Sequence, residues 1–261
     1  MAPLKVKFDV LNVCLKSSVL FGCEIWASSK LEKIEGCYRK AIKSALSVRP
    51  SLNNEIAYIE SGQFPLVCDV KSRQLKFWMK MQEDAINEPN NYMSRLINLA
   101  TEKNIPYIRY YKSLVNTHGN HKACKAQLRQ QFREKWTSRI EHCSSVDQDS
   151  KLGVYKQINP DLQQNTYVQP IPEFERIQIT RFRTGSHNLN IEKGRHRGIP
   201  RENRLCTCES DIQTLHHVIF NCPLTERFQN ISSLNEFFAQ NHNDITTYIQ
   251  NFAKILKIKI H

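Results

Sequence analysis

Apolar side chains recur at helical spacing along most of this chain, and residues 121–142 give the clearest case. An apolar side chain stands there at every fourth position: Cys124, Leu128, Phe132, Trp136 and Ile140. This pattern predicts one long α-helix with a narrow apolar seam. Only 8 of the 261 residues are glycine, which argues against a glycine-rich β-barrel. The fold class expected from the sequence is therefore mainly α.

Other amphipathic segments predict shorter helices on both sides of this one. They cover a first helix that starts at residue 8 and ends near Gly22, and segments 55–60, 92–102 and 106–115. A capping box at Ser29 to Glu32 begins another helix, and Asp244 caps a final one. Residues 144–170 are rich in Ser, Asp, Gln and Asn and have weak periodicity, which favours a linker. The predicted organisation is a helical region at 1–143, a linker at 144–170 and a C-terminal domain at 171–261.

The charge balance limits the class of partner. Lysine and arginine number 37 against 25 acidic residues, so the formal net charge is +12, which favours a polyanion. No uncharged apolar run is long enough to span a bilayer, and Asp9 and Lys16 interrupt the N-terminal stretch that a secretory signal would need. The nine cysteines are odd in number and mostly scattered, which favours an intracellular reducing compartment, nuclear or cytoplasmic.

Four residues near the C-terminus have the spacing of a metal site. Cys206, Cys208, His217 and Cys222 follow the pattern C-x-C-x8-H-x4-C. Thiolates and imidazole are the ligands that zinc prefers, and four protein ligands make a closed, structural site. The alternative interpretation is three unrelated thiols, and His216 is an alternative ligand. Because neighbours on a helix point about 100° apart, only one of the two histidines should reach the metal.

A basic segment lies just before this cluster. Residues 176–204 carry eight Lys or Arg against two Glu, which is half of the net charge of the chain. The candidate phosphate contacts are Arg181, Arg183, Lys193, Arg195, Arg197 and Arg204. A solvated surface is the alternative interpretation, and the basic face of the predicted helix at 121–142 is a competing nucleic-acid surface.

The sequence lacks the motifs of the common catalytic sites. It has no Asp-Asp pair of the kind that two-metal polymerases use, no phosphate-binding glycine loop, and no convincing nucleophile set. No catalytic residue and no small-molecule substrate are therefore predicted, and no polymerase activity is expected from this chain alone.

Several motifs occur in an order that resembles a known family. They are Arg183-Thr-Gly-Ser-His187, Leu189-Asn-Ile-Glu-Lys-Gly-Arg195, Gly198-Ile-Pro200, Arg204-Leu-Cys-Thr-Cys208 and His217-Val-Ile-Phe-Asn-Cys-Pro223. This run resembles the C-terminal region of the reverse transcriptases of animal non-LTR (LINE-type) retrotransposons. Upstream, Val19-Leu-Phe-Gly22, Glu24-Ile-Trp26, Lys30-Leu-Glu32 and Glu60-Ser-Gly-Gln-Phe-Pro-Leu66 resemble the segment that follows the polymerase palm.

The resemblance implies a thumb-like helical segment followed by a small helical module that contains a zinc knuckle. It implies a structural Zn²⁺ and an accessory role in binding RNA or target DNA. It does not imply a membrane as a partner. The family usually has an acidic residue where His216 stands, so the ligand histidine stays open. Two other interpretations remain: a subunit whose partner chain carries the palm, and a non-functional relic of an element.

Overall fold

The computed structural model is mainly α-helical, as the periodicity predicts. It describes residues 3–26, 31–89, 91–103, 105–164, 171–225 and 231–259. The first eight helices are α1 Leu4–Val10, α2 Lys16–Val19, α3 Cys23–Trp26, α4 Leu31–Leu46, α5 Asn54–Ser61, α6 Leu66–Asn87, α7 Tyr92–Glu102 and α8 Pro106–His118, with a π-helical turn at Leu11–Leu15. The capping box predicted at Ser29 lies outside the described residues.

The remaining helices include the long one. They are α9 His121–Val146, α10 Lys151–Ile158, α11 Glu173–Arg183, α12 Asn190–His196, α13 Leu234–Ala239 and α14 His242–Ile255, with a 3-10 turn at Arg201–Asn203 and a π-helical turn at His217–Asn221. The prediction over 121–142 is confirmed by α9, whose seam residues Cys124, Leu128 and Ile140 are fully buried. The described residues contain no strand beyond one isolated antiparallel bridge between Leu205 and Ile212.

The chain forms two compact units, and each unit combines separated segments. Unit 1 comprises Met1–Asp9, Arg39–Gln63 and Thr137–His261, whereas unit 2 comprises Val10–Tyr38 and Phe64–Trp136. These units do not coincide with the boundaries predicted at 143 and 170. Local periodicity reports single helices, whereas unit membership depends on which distant helices pack together.

The linker predicted at 144–170 is wrong for its described middle part. Residues 151–158 form α10, which begins at a Ser150 side-chain cap and buries Leu152, Tyr155 and Ile158. The polar residues that suggested a linker lie mostly in the turns on either side of this short helix. Residues 165–170 lie outside the described part of the chain.

Unit 2 is organised around α6. This helix contacts α3, α7 and α8, and it buries Leu66, Val70 and Leu75. Polar contacts fix its position as well, because Arg73 donates to the carbonyl of Leu20 at 2.9 Å and the side chain of Gln74 accepts from Tyr111 at 2.8 Å.

Unit 1 is built on two helix pairs, α11 with α14 and α10 with α13. Its core is aromatic in part, since the Phe182 and Phe252 rings meet edge to face at 5.4 Å. Cys206 and Cys222 belong to the same buried apolar cluster. Two of the predicted metal ligands are therefore anchored directly in the hydrophobic core of unit 1.

Candidate metal centre

A tight hairpin presents Cys206 and Cys208. The amide of Cys206 donates to the carbonyl of Asp211 at 2.8 Å, and the amide of Gln213 donates to the carbonyl of Arg204 at 2.9 Å. Between these bonds the chain reverses through Glu209, whose φ of 61° is left-handed. The reversal directs both thiols of the C-x-C pair toward one side of the turn.

The π-helical turn presents the other two residues. The amide of His217 donates to Oγ1 of Thr214 at 3.0 Å, which ties the first residue of this turn to the chain before it. The amide of Cys222 donates to the carbonyl of His217 at 2.7 Å, so the wider turn brings residues 217 and 222 together. Oγ1 of Thr225 then donates to the carbonyl of Val218 at 2.7 Å and holds the end of the turn.

The four side chains converge on one point. Their ligand atoms all lie within 4.8 Å of one another, so this cluster could hold a metal ion. Sγ of Cys206 lies 3.8 Å from Sγ of Cys222, and Sγ of Cys208 lies 3.2 Å from Nε2 of His217. Two sulfur ligands on a tetrahedral zinc ion, with bonds of about 2.3 Å, lie about 3.8 Å apart. The donor set and its spacing therefore fit a tetrahedral cation.

The structure separates the two adjacent histidines. His217 is buried and directs Nε2 toward the thiols, whereas His216 is exposed and its ring lies 4.9 Å from that of Phe220. The cluster therefore contains His217, as the sequence favoured. Nδ1 of His217 has no hydrogen-bond partner among the described residues and lies 3.7 Å from Oδ2 of Asp211. A metal-binding histidine usually directs its second ring nitrogen toward a carboxylate that orients the imidazole, and Asp211 lies in that position.

The thiols of the C-x-C pair differ in acidity. Burial raises the pKa of Cys206 to about 11. Burial also acts to raise the pKa of Cys208, but hydrogen bonds from Ser210 and His217 outweigh it and lower that pKa to about 6. Nε2 of Gln213 donates to Sγ of Cys206 at 3.7 Å, so polar groups already point at the sulfurs that a cation would need as thiolates.

Arg183, predicted as a phosphate contact, forms a buried ion pair instead. Its Nη2 donates to Oε1 of Glu60 at 3.0 Å, and its Nε donates to the same oxygen at 3.2 Å. The Glu60 side chain is fully buried and also accepts from the Tyr155 hydroxyl at 2.9 Å. The sequence analysis gave Glu60 no partner, although a carboxylate directly after the apolar residues of a short helix is a signal for a buried partner.

Two further predicted contacts also have partners inside unit 1. Nε of Arg181 donates to the carbonyl of Ser47 at 2.8 Å. The side chain of Arg204 donates to the carbonyls of Ile199 and Ile191 at 2.6 and 3.1 Å. It lies flat over Gly194, where a Cβ would stand 2.5 Å from its Cγ. Arg204 thus fixes the base of the hairpin to α12.

The other three predicted residues lie on or directly after α12. Arg197 is exposed, whereas Lys193 and Arg195 are half-buried, and Arg195 pairs with Glu192 of the same helix. This part of the basic segment is helical over Asn190–His196. Lys193 and Arg197 are four positions apart and lie on one side of the helix.

The competing basic surface on α9 has partners of its own. The guanidinium groups of Arg129 and Arg133 lie 5.2 and 5.4 Å from the centre of the Phe64 ring. Arg139 pairs with Glu55, although 61 % of the Arg139 side chain stays exposed. These side chains keep their charge at the surface, so α9 stays a rival site for phosphate.

Within the described ranges, no helix has both the length and the apolar composition that crossing a membrane requires. Comparison with protein-family models, with curated proteins and with solved structures finds no match for this chain.

Proposed function

We propose that Cys206, Cys208, His217 and Cys222 bind one structural Zn²⁺ and that the metal stabilises a nucleic-acid-binding surface of unit 1. The convergence of these four side chains within 4.8 Å carries the proposal. Three thiols and one imidazole are soft or borderline donors, which favour zinc over magnesium or calcium. Four protein ligands leave no open position for a reacting water, so the role of the metal is to hold the fold.

The proposed ligand of the surface is RNA or DNA. The chain carries a net charge of +12, and phosphate groups are the most common polyanion that such a surface meets. The cations proposed to contact phosphate are Lys193, Arg195 and Arg197. Arg181, Arg183 and Arg204 instead donate to groups outside their own helix or turn, whereas Arg195 pairs within its own helix, with Glu192, and keeps 33 % of its side chain exposed. The α12 helix therefore takes the place of the six-residue set proposed from the sequence.

The resemblance to LINE-type reverse transcriptases supports the same function. Under this proposal the chain is an accessory nucleic-acid-binding portion of such an enzyme, acting in the nucleus or cytoplasm. The buried pair between Glu60 and Arg183 is in keeping with the resemblance, because it joins residues from its upstream and downstream motifs.

Metal analysis of the purified full chain tests the zinc site. We expect one zinc per chain in the wild type and none in the Cys206→Ser, Cys222→Ser double variant, because ligand loss also removes folding energy. Cys143→Ser is the matched control, since Cys143 lies on α9 outside the cluster. Equal zinc in the wild type and the double variant would show that these residues are not the ligands.

The salt dependence of binding tests the phosphate contacts. Each phosphate contact on duplex DNA contributes about 0.9 to the slope of log affinity against log salt. Replacing Arg195 and Arg197 together by Ala should therefore reduce that slope by about 2 and weaken binding to all sequences alike. The variant that tests the rival surface on α9 is the triple variant Arg129→Ala, Arg133→Ala, Arg139→Ala. If it abolishes binding while the α12 variant keeps both affinity and slope, the nucleic-acid surface is α9.

A further inference from the structure

Two thiols of the metal cluster lie close enough to each other to form a bond after a small movement. Sγ of Cys206 lies 3.8 Å from Sγ of Cys222, and a disulfide joins two sulfurs at about 2.05 Å. Both residues are buried in the apolar cluster of unit 1, so their surroundings hold them near one another. A movement of about 1.8 Å therefore separates the two thiols from a disulfide.

This pair joins the two segments that form the cluster. Cys206 lies in the hairpin, whereas Cys222 directly follows the π-helical turn, 16 positions further along the chain. A metal ion bound to all four side chains would hold the two segments together. A disulfide between Cys206 and Cys222 would connect the same segments covalently, and it would leave only Cys208 and His217 as ligands.

The third thiol gives an oxidant access to the buried pair. Cys208 is half-buried, whereas Cys206 and Cys222 are buried. The sulfur of Cys208 lies 3.0 Å from Oγ of Ser210, and the three sulfurs lie within 4.8 Å of one another. Because oxidation of cysteine follows the exposure of the sulfur, Cys208 should react first and transfer the oxidation to its neighbours.

We propose that Cys206 and Cys222 form a reversible disulfide that displaces the metal and takes over its structural role. The inference rests on the proposed function, because it concerns the same four residues. It adds to them a reaction with a peroxide, so unit 1 contains a redox-sensitive modification site.

Three substitutions at sulfur account for the reaction with hydrogen peroxide. The Cys208 thiolate attacks the peroxide, so an S–O bond forms, the O–O bond breaks, and hydroxide takes a proton from solvent and leaves as water. The Cys206 thiolate then attacks the Cys208 sulfur and displaces a second hydroxide, which also leaves as water. Finally, the Cys222 thiolate attacks the Cys206 sulfur and releases the Cys208 thiolate. The thiolates of Cys206 and Cys222 have then lost two electrons, which the peroxide has gained.

Peroxide treatment of the zinc-loaded full chain tests the inference. We expect one zinc ion released for each disulfide formed, measured with a colorimetric chelator, and peptide mass spectrometry should locate the disulfide between Cys206 and Cys222. A thiol reductant with added zinc should restore the thiols and the bound metal. Zinc that stays bound, zinc released without a disulfide, or a final disulfide between other cysteines would overturn the inference.

A matched variant separates this cluster from the cysteines near the surface. The triple variant Cys14→Ser, Cys37→Ser, Cys143→Ser removes the exposed and half-buried cysteines outside the cluster, and it should release zinc at the rate of the wild type. Loss of the peroxide response in this variant would overturn the inference. Dimedone added during the reaction traps sulfenic acids and should label Cys208, whereas labelling of Cys206 or Cys222 instead would overturn the proposed order of steps.

Limited proteolysis of the metal-free full chain tests whether the disulfide takes over the structural role. The reduced metal-free chain should be cleaved rapidly within residues 204–222, because it lacks the metal that holds the fold. The oxidised metal-free chain should resist cleavage there as the zinc-loaded chain does. Equal cleavage of the oxidised and reduced metal-free chains would overturn this part of the inference.

Two outcomes distinguish this inference from the proposed zinc site. If the purified chain holds no zinc but peroxide still joins Cys206 to Cys222, the redox pair stands and the zinc proposal fails. If the chain holds one zinc and peroxide changes neither the metal content nor the thiols, the zinc proposal stands and this inference is wrong.

Discussion

Breaking the ion pair between Glu60 and Arg183 should destabilise unit 1 far more than breaking a surface pair. Glu60 is fully buried and Arg183 is 11 % exposed by side chain, so neither charge has ready access to water. The pair also holds the Tyr155 hydroxyl, which in turn accepts from Asn159 at 3.3 Å. Removing one partner takes a close counterion away from a charge that has little access to water.

The expected magnitude follows from this burial. Glu60→Leu and Arg183→Met should each lower the free energy of unfolding by about 3–5 kcal/mol, the range for one lost partner of a buried pair. The double variant should lose less than either single variant, because an apolar pair leaves no charge uncompensated. The double-mutant cycle therefore has a large coupling free energy.

Urea unfolding of the zinc-loaded full chain, followed by circular dichroism, measures these differences. Arg139→Met is the control, since its pair with Glu55 keeps 61 % of the arginine side chain exposed and should contribute about 1 kcal/mol or less. Additive single effects, or a loss below about 1 kcal/mol for Glu60→Leu, would refute the reasoning. A reduced salt slope in a folded Arg183→Met chain would instead return Arg183 to the phosphate contacts.

Two other predictions concern the surroundings of the metal site. Burial, followed by nearby positive charges, lowers the pKa of His187 to about 3. As the pH falls, the His187 imidazole is therefore protonated in the unfolded chain before it is protonated in the folded one, and the free energy of unfolding drops between about pH 6.5 and 3. Between pH 7 and 5, urea unfolding should show the wild type losing about 2 kcal/mol more stability than His187→Asn. Equal losses in the two proteins would contradict this prediction. Gly194→Ala should displace Arg204 and weaken zinc retention against a competing chelator by about 1–3 kcal/mol of binding free energy, whereas unchanged retention would show that Arg204 does not hold the hairpin.

Local sequence patterns predicted most of the helices and identified the four residues of the candidate metal site. The predicted range 92–102 coincides with α7, because Asn91 caps its start and apolar residues line one face. The final helix begins earlier than predicted, since Asn241 rather than Asp244 provides the cap. Both residue types cap helices well, and the sequence alone gives no reason to prefer one.

The long-range partners of the arginines had no local signal. Arg183 and Glu60 are 123 positions apart, and no periodicity connects them. A count of positive charges treats every arginine as solvent-facing, although a guanidinium group with five donors also satisfies buried carboxylates and carbonyls. This is why the sequence predicted six phosphate contacts, and why the structure leaves three of them for α12.

The segmented composition of unit 1 has a consequence for how the chain folds during synthesis. Residues 39–63 leave the ribosome well before their packing partners in 137–261 exist. The carboxylate of Glu60 therefore stays hydrated until Arg183 has been translated. Closing such a long loop is entropically unfavourable and makes folding slow. An expression fragment that starts at residue 171 avoids this delay, but it lacks the early segments that complete unit 1. Its apolar surface therefore stays exposed and favours aggregation.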